Sequence, residues 1–324
     1  MRYLLRRALH ALLLLFGVSL LTFMFAAMAP GNYLDEMRLN PQIAPETISA
    51  LRAQYGMDRP FPVRYLRWLG SVLRGEWGFS FAYNRPVASL LMVRARNTLL
   101  LAATATALAW LLALPLGVWS AERAGHWPDR LVSAGSAALL VIPELVLALG
   151  LLILAVRSGW FPAGGLESLG SGSLSAGRRT ADLARHLTLP VAALVLSSIP
   201  LLIRHVRAAV AEVLGSGFLW AAEAHGVSRR RLLWRHALPA AANPLISLFG
   251  FSLGGLLSGS LIVEVVMSWP GLGPLLLEAI LTRDLYVVIG CVLLSTLFLV
   301  GGNLAADLLL YWADPRIRWE GPEP

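Results

Sequence analysis

Long apolar runs separated by arginine-bearing stretches set the pattern of this chain. Six of these runs reach the roughly 20 mostly apolar residues that a membrane-spanning helix needs. They cover about residues 9–29, 98–120, 131–156, 187–203, 245–267 and 286–312. The first run imitates a signal peptide, because Arg2, Arg6 and Arg7 precede it and Ala27-Met28-Ala29 looks like a cleavage site. Its apolar core is longer than a secretory h-region and Pro30 follows the mock site, so it reads as a retained anchor.

Outside these runs the pattern changes. In "FPVRYLRWLGSVLRGEWG", residues 61–78, Arg64, Arg67, Ser71 and Arg74 recur at helical spacing opposite Tyr65, Leu69 and Val72. This predicts an amphipathic helix, and two readings of it stay open. It lies on the outer membrane surface or beneath a partner, or it is a cap packed on the ends of the spans. The Gly- and Ser-rich residues 163–177 read as a flexible outer loop.

With 57% apolar and only 14% charged residues in a length of 324, the chain is an integral membrane protein. Every basic residue is arginine and the net charge is +8. In a membrane chain such charge bears on orientation and on anionic lipid headgroups, and no aromatic-plus-basic module points to nucleic acid. Arg2, Arg6 and Arg7 place the N-terminus in the cytoplasm. Six crossings then put Arg204, Arg207, Arg229, Arg230, Arg231 and Arg235 on the same side, with Arg316 and Arg318 of the tail. Arg157, Arg178, Arg179 and Arg185 run against that bias. The single cysteine, Cys291, lies in an apolar run and reads as a small buried hydrophobe. The histidines, at 10, 126, 186, 205, 225 and 236, show no metal-ligand spacing.

One segment is too polar to cross the bilayer and too apolar for a plain loop: "FLWAAEAHGVSRRRLLWRHALPAAANPL", residues 218–245. As a helix it gathers Phe218, Ala221, Ala222 and Gly226 on a face of small side chains, and Gly226 bends or stops it. Val227, Leu232, Leu233, Trp234 and Leu238 then supply apolar contacts, and Pro239 marks the re-entry toward the fifth span. Such a helix suits a groove on a soluble partner. The alternative is an interfacial helix resting on anionic lipid.

The order Ala221-Ala222, then Gly226, then twelve residues to Pro239, resembles the EAA loop of ATP-binding-cassette importer permeases. The run "GVSRRRLLWRHALPAAANPL" is similar to the dipeptide, oligopeptide and nickel permeases among them. The start "MRYLLRRALHALLLLFGVSLLTFMFAAMAPG", the stretch "LRAQYGMDRPFPVRYLRWLGSVLRGEWGFSF", the later "SWPGLGPLLLEAILTRDLYVVIG" and the closing "ADPRIR" resemble the same family in the same order. The resemblance implies that Trp220, Ala221, Ala222, Glu223, His225, Gly226, Val227, Ser228, Leu238 and Pro239 form a coupling helix and its flank, seated in a cleft of an ATPase subunit. Two positions depart from the pattern. Trp220 stands where the loop has its acidic residue, with Glu223 three places on, and His225 stands where the family commonly has a stronger base.

Inside the spans, Glu144 beside Pro143 falls mid-way through the third run and Glu264 late in the fifth. An intramembrane carboxylate faces a cavity or a partner rather than lipid. Glu144, Ser252 and Ser258 are therefore candidates to line a translocation path, against a purely structural hydrogen bond for Glu144 and a place near the outer interface for Glu264. Ser247, Ser252, Gly254, Gly255, Ser258, Gly259 and Ser260 fit close helix packing. No catalytic site is read from the chain: no Gly-x-Ser-x-Gly, His-Glu-x-x-His or P-loop motif occurs. A membrane-embedded enzyme would need an acid, base and nucleophile at one depth, and a passive channel would not need the 218–239 segment.

The expectation is an all-α integral membrane protein with six transmembrane helices, both ends cytoplasmic, and a type I ABC importer permease-like fold. Residues 1–29 would be an anchor helix, 30–96 an external helical segment, and 97–324 the permease core with its coupling loop at 211–240. The resemblance implies a permease subunit of an ATP-driven importer in the inner membrane, moving peptides by alternating access. Nickel chelates or other small solutes are the alternative cargo. It also implies a second permease subunit, two ATPases carrying the ATP and Mg, and an external solute-binding protein. This chain itself would hold no cofactor or metal. The binding protein would meet residues 30–96 and the loops near Gly165 and Trp269-Pro270-Gly271.

Overall fold

The computed structural model describes residues 2–28, 37, 44–54 and 58–313. Within them the chain runs α1 (Arg2–Met28), α2 (Pro45–Gln54), α3 (Phe61–Leu73), β1 (Phe79–Ser80), β2 (Arg85–Pro86), α4 (Val87–Glu122), α5 (Trp127–Val141), α6 (Glu144–Ser158) and α7 (Ala176–Leu214). It continues through α8 (Gly217–Ala224), α9 (Arg229–Leu232), α10 (Ala242–Gly259), α11 (Leu261–Val266), α12 (Leu272–Leu281) and α13 (Leu285–Ala313). The Pro30-Gly31 turn and the arginines at 316 and 318 lie outside the described residues.

Helices dominate for a physical reason: hydrocarbon offers the backbone no hydrogen-bond partners, so a spanning segment must satisfy its own. Among the described residues, Arg6–Met28, α4, α7, Ala242–Val266 and α13 are each long and apolar enough to cross a bilayer. The third apolar run is not one straight helix. It is the pair α5 and α6, bent by 92° at Ile142 and Pro143. Proline drives the preceding residue out of the helical region, and Ile142 accordingly has φ −82° and ψ 117°. Pro143 then begins the next helix, its carbonyl accepting from the N–H groups of Val146 and Leu147. The fourth run is longer than its apolar core suggested, extending polar turns at both ends to make the 39-residue α7.

The chain divides into two compact units. The first contains residues 1–99 and 270–298. There the amphipathic α3 packs on α1: Tyr65 and Trp68 are buried against Phe23, with the Phe23 and Tyr65 rings edge to face at 5.6 Å. The Tyr65 hydroxyl and Ser19 Oγ share a 2.8 Å hydrogen bond. Thus α3 is a cap on a span, while Val63, Leu66 and Leu73 stay exposed on its other side. Between α3 and α4, where the sequence shows only turn signals and helix-like patterns, lies an antiparallel pair, β1 with β2. The hairpin is tied down by Ser80 Oγ donating to Asp284 at 2.6 Å and by the Tyr83 hydroxyl donating to Glu278.

The second unit contains residues 100–269 and 299–324. Within it α5 and α6 both pack along α7, and α11 packs on α6. α10 and the end of α13 approach so closely that a Cβ on Gly254 would lie 2.9 Å from Leu299 Cδ1 and from its carbonyl oxygen. In lipid such backbone proximity is what holds helices together. Gly255 and Gly259 instead face open space, so the small residues of the fifth run split between a packed face and a free one.

Candidate functional site

Residues 216–241 build the site from a helix, a reversal and a second helical stretch. Ser216 opens α8, its carbonyl accepting from Leu219 and Trp220 N–H. Two crossed backbone bonds close it: Val227 N–H donates to Ala222 O at 3.2 Å, and Gly226 N–H to Glu223 O at 2.9 Å. This reversal needs a left-handed residue, supplied by Gly226 at φ +79°. Ser228 then starts α9, its carbonyl accepting from Leu232 N–H, and a π-turn over Leu233–Ala237 leads to Leu238-Pro239.

The segment rests on an apolar base. Leu219, 1% exposed, and Leu232, Leu233, Ala237 and Ala241 join Val118 and Ala121 of α4 and Val206 and Val210 of α7 in one buried cluster. Ala222, Val227 and Leu238 pack against its edge. The face that remains open carries Phe218, Trp220 (71% exposed), Ala221, Ala224 and His225. The structure therefore corrects the expected small-residue face: Ala222 turns partly inward, and two aromatic rings stand on the outside. Sequence reasoning passed over Leu219, although its spacing from Ala222 and Gly226 was the available signal.

Charges flank this face. Arg229 lies 3.4 Å from Glu122 Oε1 and donates to the Glu122 carbonyl at 3.2 Å. Together with Glu223 and Leu219 they border a small cavity of about 160 Å³. As a solvent-exposed ion pair this contributes little to stability. Glu223 and Ser228 are exposed, and Pro239 lies on the surface.

The path candidates lie elsewhere and are not gathered into one site. Glu144 occupies the first turn of α6 at the bend, with Oε1 buried and without a hydrogen-bond partner among the described residues. Ser252 accepts from Trp110 Nε1 and donates to the Phe249 carbonyl, both at 2.8 Å, so it ties α10 to α4. Ser258 is half-buried on α10. Glu264 is fully buried, accepting from Ser260 Oγ at 3.3 Å. Trp269 and Gly271 are also buried. Around Gly165, in the loop expected to be flexible, the Ser168 backbone N–H and hydroxyl both donate to Asp182. Among the described residues no cluster of His, Cys, Asp and Glu is arranged to hold a metal ion.

Residues 113–319 match the family described as binding-protein-dependent transport system inner membrane component, and residues 1–102 match the N-terminal region of the same kind of protein. The chain belongs to this family of inner-membrane transport components. The oligopeptide transport system permease protein AppB of Bacillus subtilis is 34% identical over 98% of this chain and 99% of its own. The glutathione transport system permease protein GsiC of Escherichia coli K12 is 32% identical over 99% and 100%. The membrane subunit fold is shared with a chain of the inward-facing MetNI methionine ABC transporter, at TM-score 0.54 and 19% identity, covering 69% of this chain and 96% of that one. This permease is thus a multi-pass inner-membrane protein with the type I ABC importer fold, and its place in the family is that of a transport subunit.

Proposed function

We propose that this permease forms half of the pathway of an ATP-driven importer for peptides, and that α8 is the element on which partner ATPases act. The observation that carries the reading is the build of the segment: an aromatic and small-residue face left open, on a base locked into the ends of α4 and α7. A face that bears only on lipid would not need so firm a base. A lever does, because a loose loop would dissipate the movement applied to it.

In this reading both chain ends are cytoplasmic, two P-loop ATPases carry ATP and Mg, and a second permease completes the path. Closing of the ATPases draws on α8 and tilts the spans outward to receive cargo from an external binding protein, and hydrolysis returns them. Nearly complete switching of that kind needs differential binding on the order of 5 kcal/mol. Trp220, Ala221, Glu223, His225 and Ser228 meet the ATPase, while Ala222, Gly226, Val227, Leu238 and Pro239 hold the face in place. Glu144 borders the path at the bend of the third span, joined by Ser258, with Ser252 as a tie between helices. Residues 1–29 anchor the chain, 30–96 face the binding protein, and 97–324 form the core around the 211–240 loop.

The names of the relatives favour peptide cargo, with a glutathione-like tripeptide as the second reading. The test is reconstitution of the chain with its partner permease, ATPases and binding protein in liposomes, followed by uptake of radiolabelled trialanine and glutathione. Uptake of either that requires both Mg·ATP and the binding protein supports the reading; uptake of both without ATP, or of neither, contradicts it.

A further inference from the structure

Asp129, in the first turn of α5, is 4% exposed and its carboxylate accepts four hydrogen bonds. Oδ1 accepts from Arg207 Nε at 2.5 Å and from Ser120 Oγ at 2.6 Å. Oδ2 accepts from Arg207 Nη2 at 2.7 Å and from the Gly125 N–H at 2.8 Å. The arginine fork grips the carboxylate with two parallel bonds, the geometry that fixes orientation as well as charge. Its partners come from three separate stretches: the end of α4, the turn after it, and α7. With Asp129 buried and the Arg207 side chain 34% exposed, such a pair adds little stability over apolar packing, and its best-supported use is to fix one registry.

What this pair fixes is the stem of the coupling segment. Arg207 lies about two helical turns before α7 ends at Leu214, and α8 begins directly after Gly215 and Ser216. On the same stretch of α7, Val206 and Val210 are buried with Leu219 of α8 and Leu232 and Leu233 of the return. The apolar cluster thus joins α8 to α7, and the ion pair joins α7 to α5. At its far end α5 stops at Val141, and Ile142 and Pro143 leave helical geometry before α6 turns off at 92°.

We propose that Asp129 and Arg207 are positioning residues for transport, a clamp that makes α5 follow any movement applied to α8, with the Ile142-Pro143 break taking up the change of angle against α6. This rests on α8 being the ATPase-driven element. Without the clamp, α7 still moves with α8 through the apolar cluster, but α5 is left to side-chain packing along α7 and follows it only loosely. Coupling fails while assembly and ATP hydrolysis survive.

Two readouts test the clamp. In the reconstituted complex, Asp129→Asn and Arg207→Met should keep subunit assembly and hydrolyse ATP within about twofold of wild type, while ATP consumed per trialanine imported rises at least tenfold; Arg207→Lys, which keeps charge but loses the fork, falls between. Separately, spin labels at Glu212→Cys on α7 and Ser133→Cys on α5, with the buried Cys291 replaced by alanine, report the α7–α5 distance in lipid. The distribution should be narrow with the clamp intact and broad in Asp129→Asn and Arg207→Met. An unchanged distance distribution in both variants overturns the clamp, as does an unchanged ratio of ATP to peptide, or a parallel loss of assembly and hydrolysis that marks the pair as merely structural. The distance measurement needs no cargo, so failure of wild type to import trialanine strikes the peptide reading and leaves the clamp to be decided by the labels.

Discussion

The backbone N–H of Val227 donates to the carbonyl of Ala222 at 3.2 Å, across a reversal in which Gly226 alone turns left-handed. That bond ends α8 and aims the chain into α9. A Cβ at Gly226 would meet nothing within 4 Å, so the obstacle to substitution is the backbone itself, roughly 1–2 kcal/mol for a residue with a side chain. Gly226→Val should fray the end of α8 and reduce import per ATP several-fold, with insertion in the membrane unchanged. Gly226→Asn should be milder, since asparagine tolerates this region. Equal uptake by wild type and Gly226→Val would remove the reversal from the coupling account.

Neighbouring alanines should behave differently. Ala221 is exposed on the open face, whereas Ala222 packs on the edge of the cluster around Leu219. Ala222→Asp places a carboxylate against apolar side chains and should destabilise the segment by about 1–3 kcal/mol, read as a lower melting temperature of the purified chain. Ala221→Asp should leave that temperature within a degree or two. A shift of similar size in both would mean that the two faces are not distinguished as described.

Much of this was legible in the sequence and some was not. The six apolar runs, the aromatic face of α3 and the stop at Gly226 all follow from local periodicity and backbone preference. The break of the third span was written in Pro143, but hydropathy averages over a proline and reads one continuous run. The contact between Asp129 and Arg207 joins residues 78 positions apart, and no local pattern reports such a pair. Which alanine of Ala221-Ala222 faces inward depends on where α4 and α7 lie, and that is a tertiary fact.

Packing of α10 on α13 gives a third prediction. Gly254 faces Leu299 with no room for a Cβ, and a Cβ on Gly250 would fall 2.0 Å from that of Ala306. Gly254→Leu overpacks the contact and should cost about 1–3 kcal/mol or more. The expected readout is a loss of monodisperse protein in detergent. Gly255→Leu, on the open side, should remain monodisperse, and identical behaviour of the two would contradict the assigned faces.

Asp284 supplies a pH dependence outside the spans. It is buried just before α13, and burial holds its carboxyl above the usual carboxylate range despite hydrogen bonds from Ser80 and the Ala82 N–H. The folded chain therefore keeps this proton at a pH where the unfolded chain, with an aspartate pKa of about 3.9, has released it. Stability from this group is full below that value and is lost as pH rises through the raised one. Melting of the wild-type chain should fall over this window more steeply than that of Asp284→Asn, and superimposable pH profiles would exclude the group as the cause.

A fifth prediction concerns Glu144, whose Oε1 is buried at the bend without a hydrogen-bond partner among the described residues. Glu144→Gln should change the KM or rate of trialanine uptake with assembly and ATP hydrolysis unchanged; identical kinetics for trialanine and glutathione would assign it to helix packing instead.

The most direct measurement is the retention of partner ATPases by the tagged permease purified in mild detergent, compared between wild type and Ala221→Asp. The account predicts that a P-loop ATPase copurifies with wild type and that Ala221→Asp loses at least tenfold of it while remaining folded. Undiminished retention by Ala221→Asp, or no ATPase with wild type when the subunits are co-expressed, would contradict the assignment of α8 as the coupling helix.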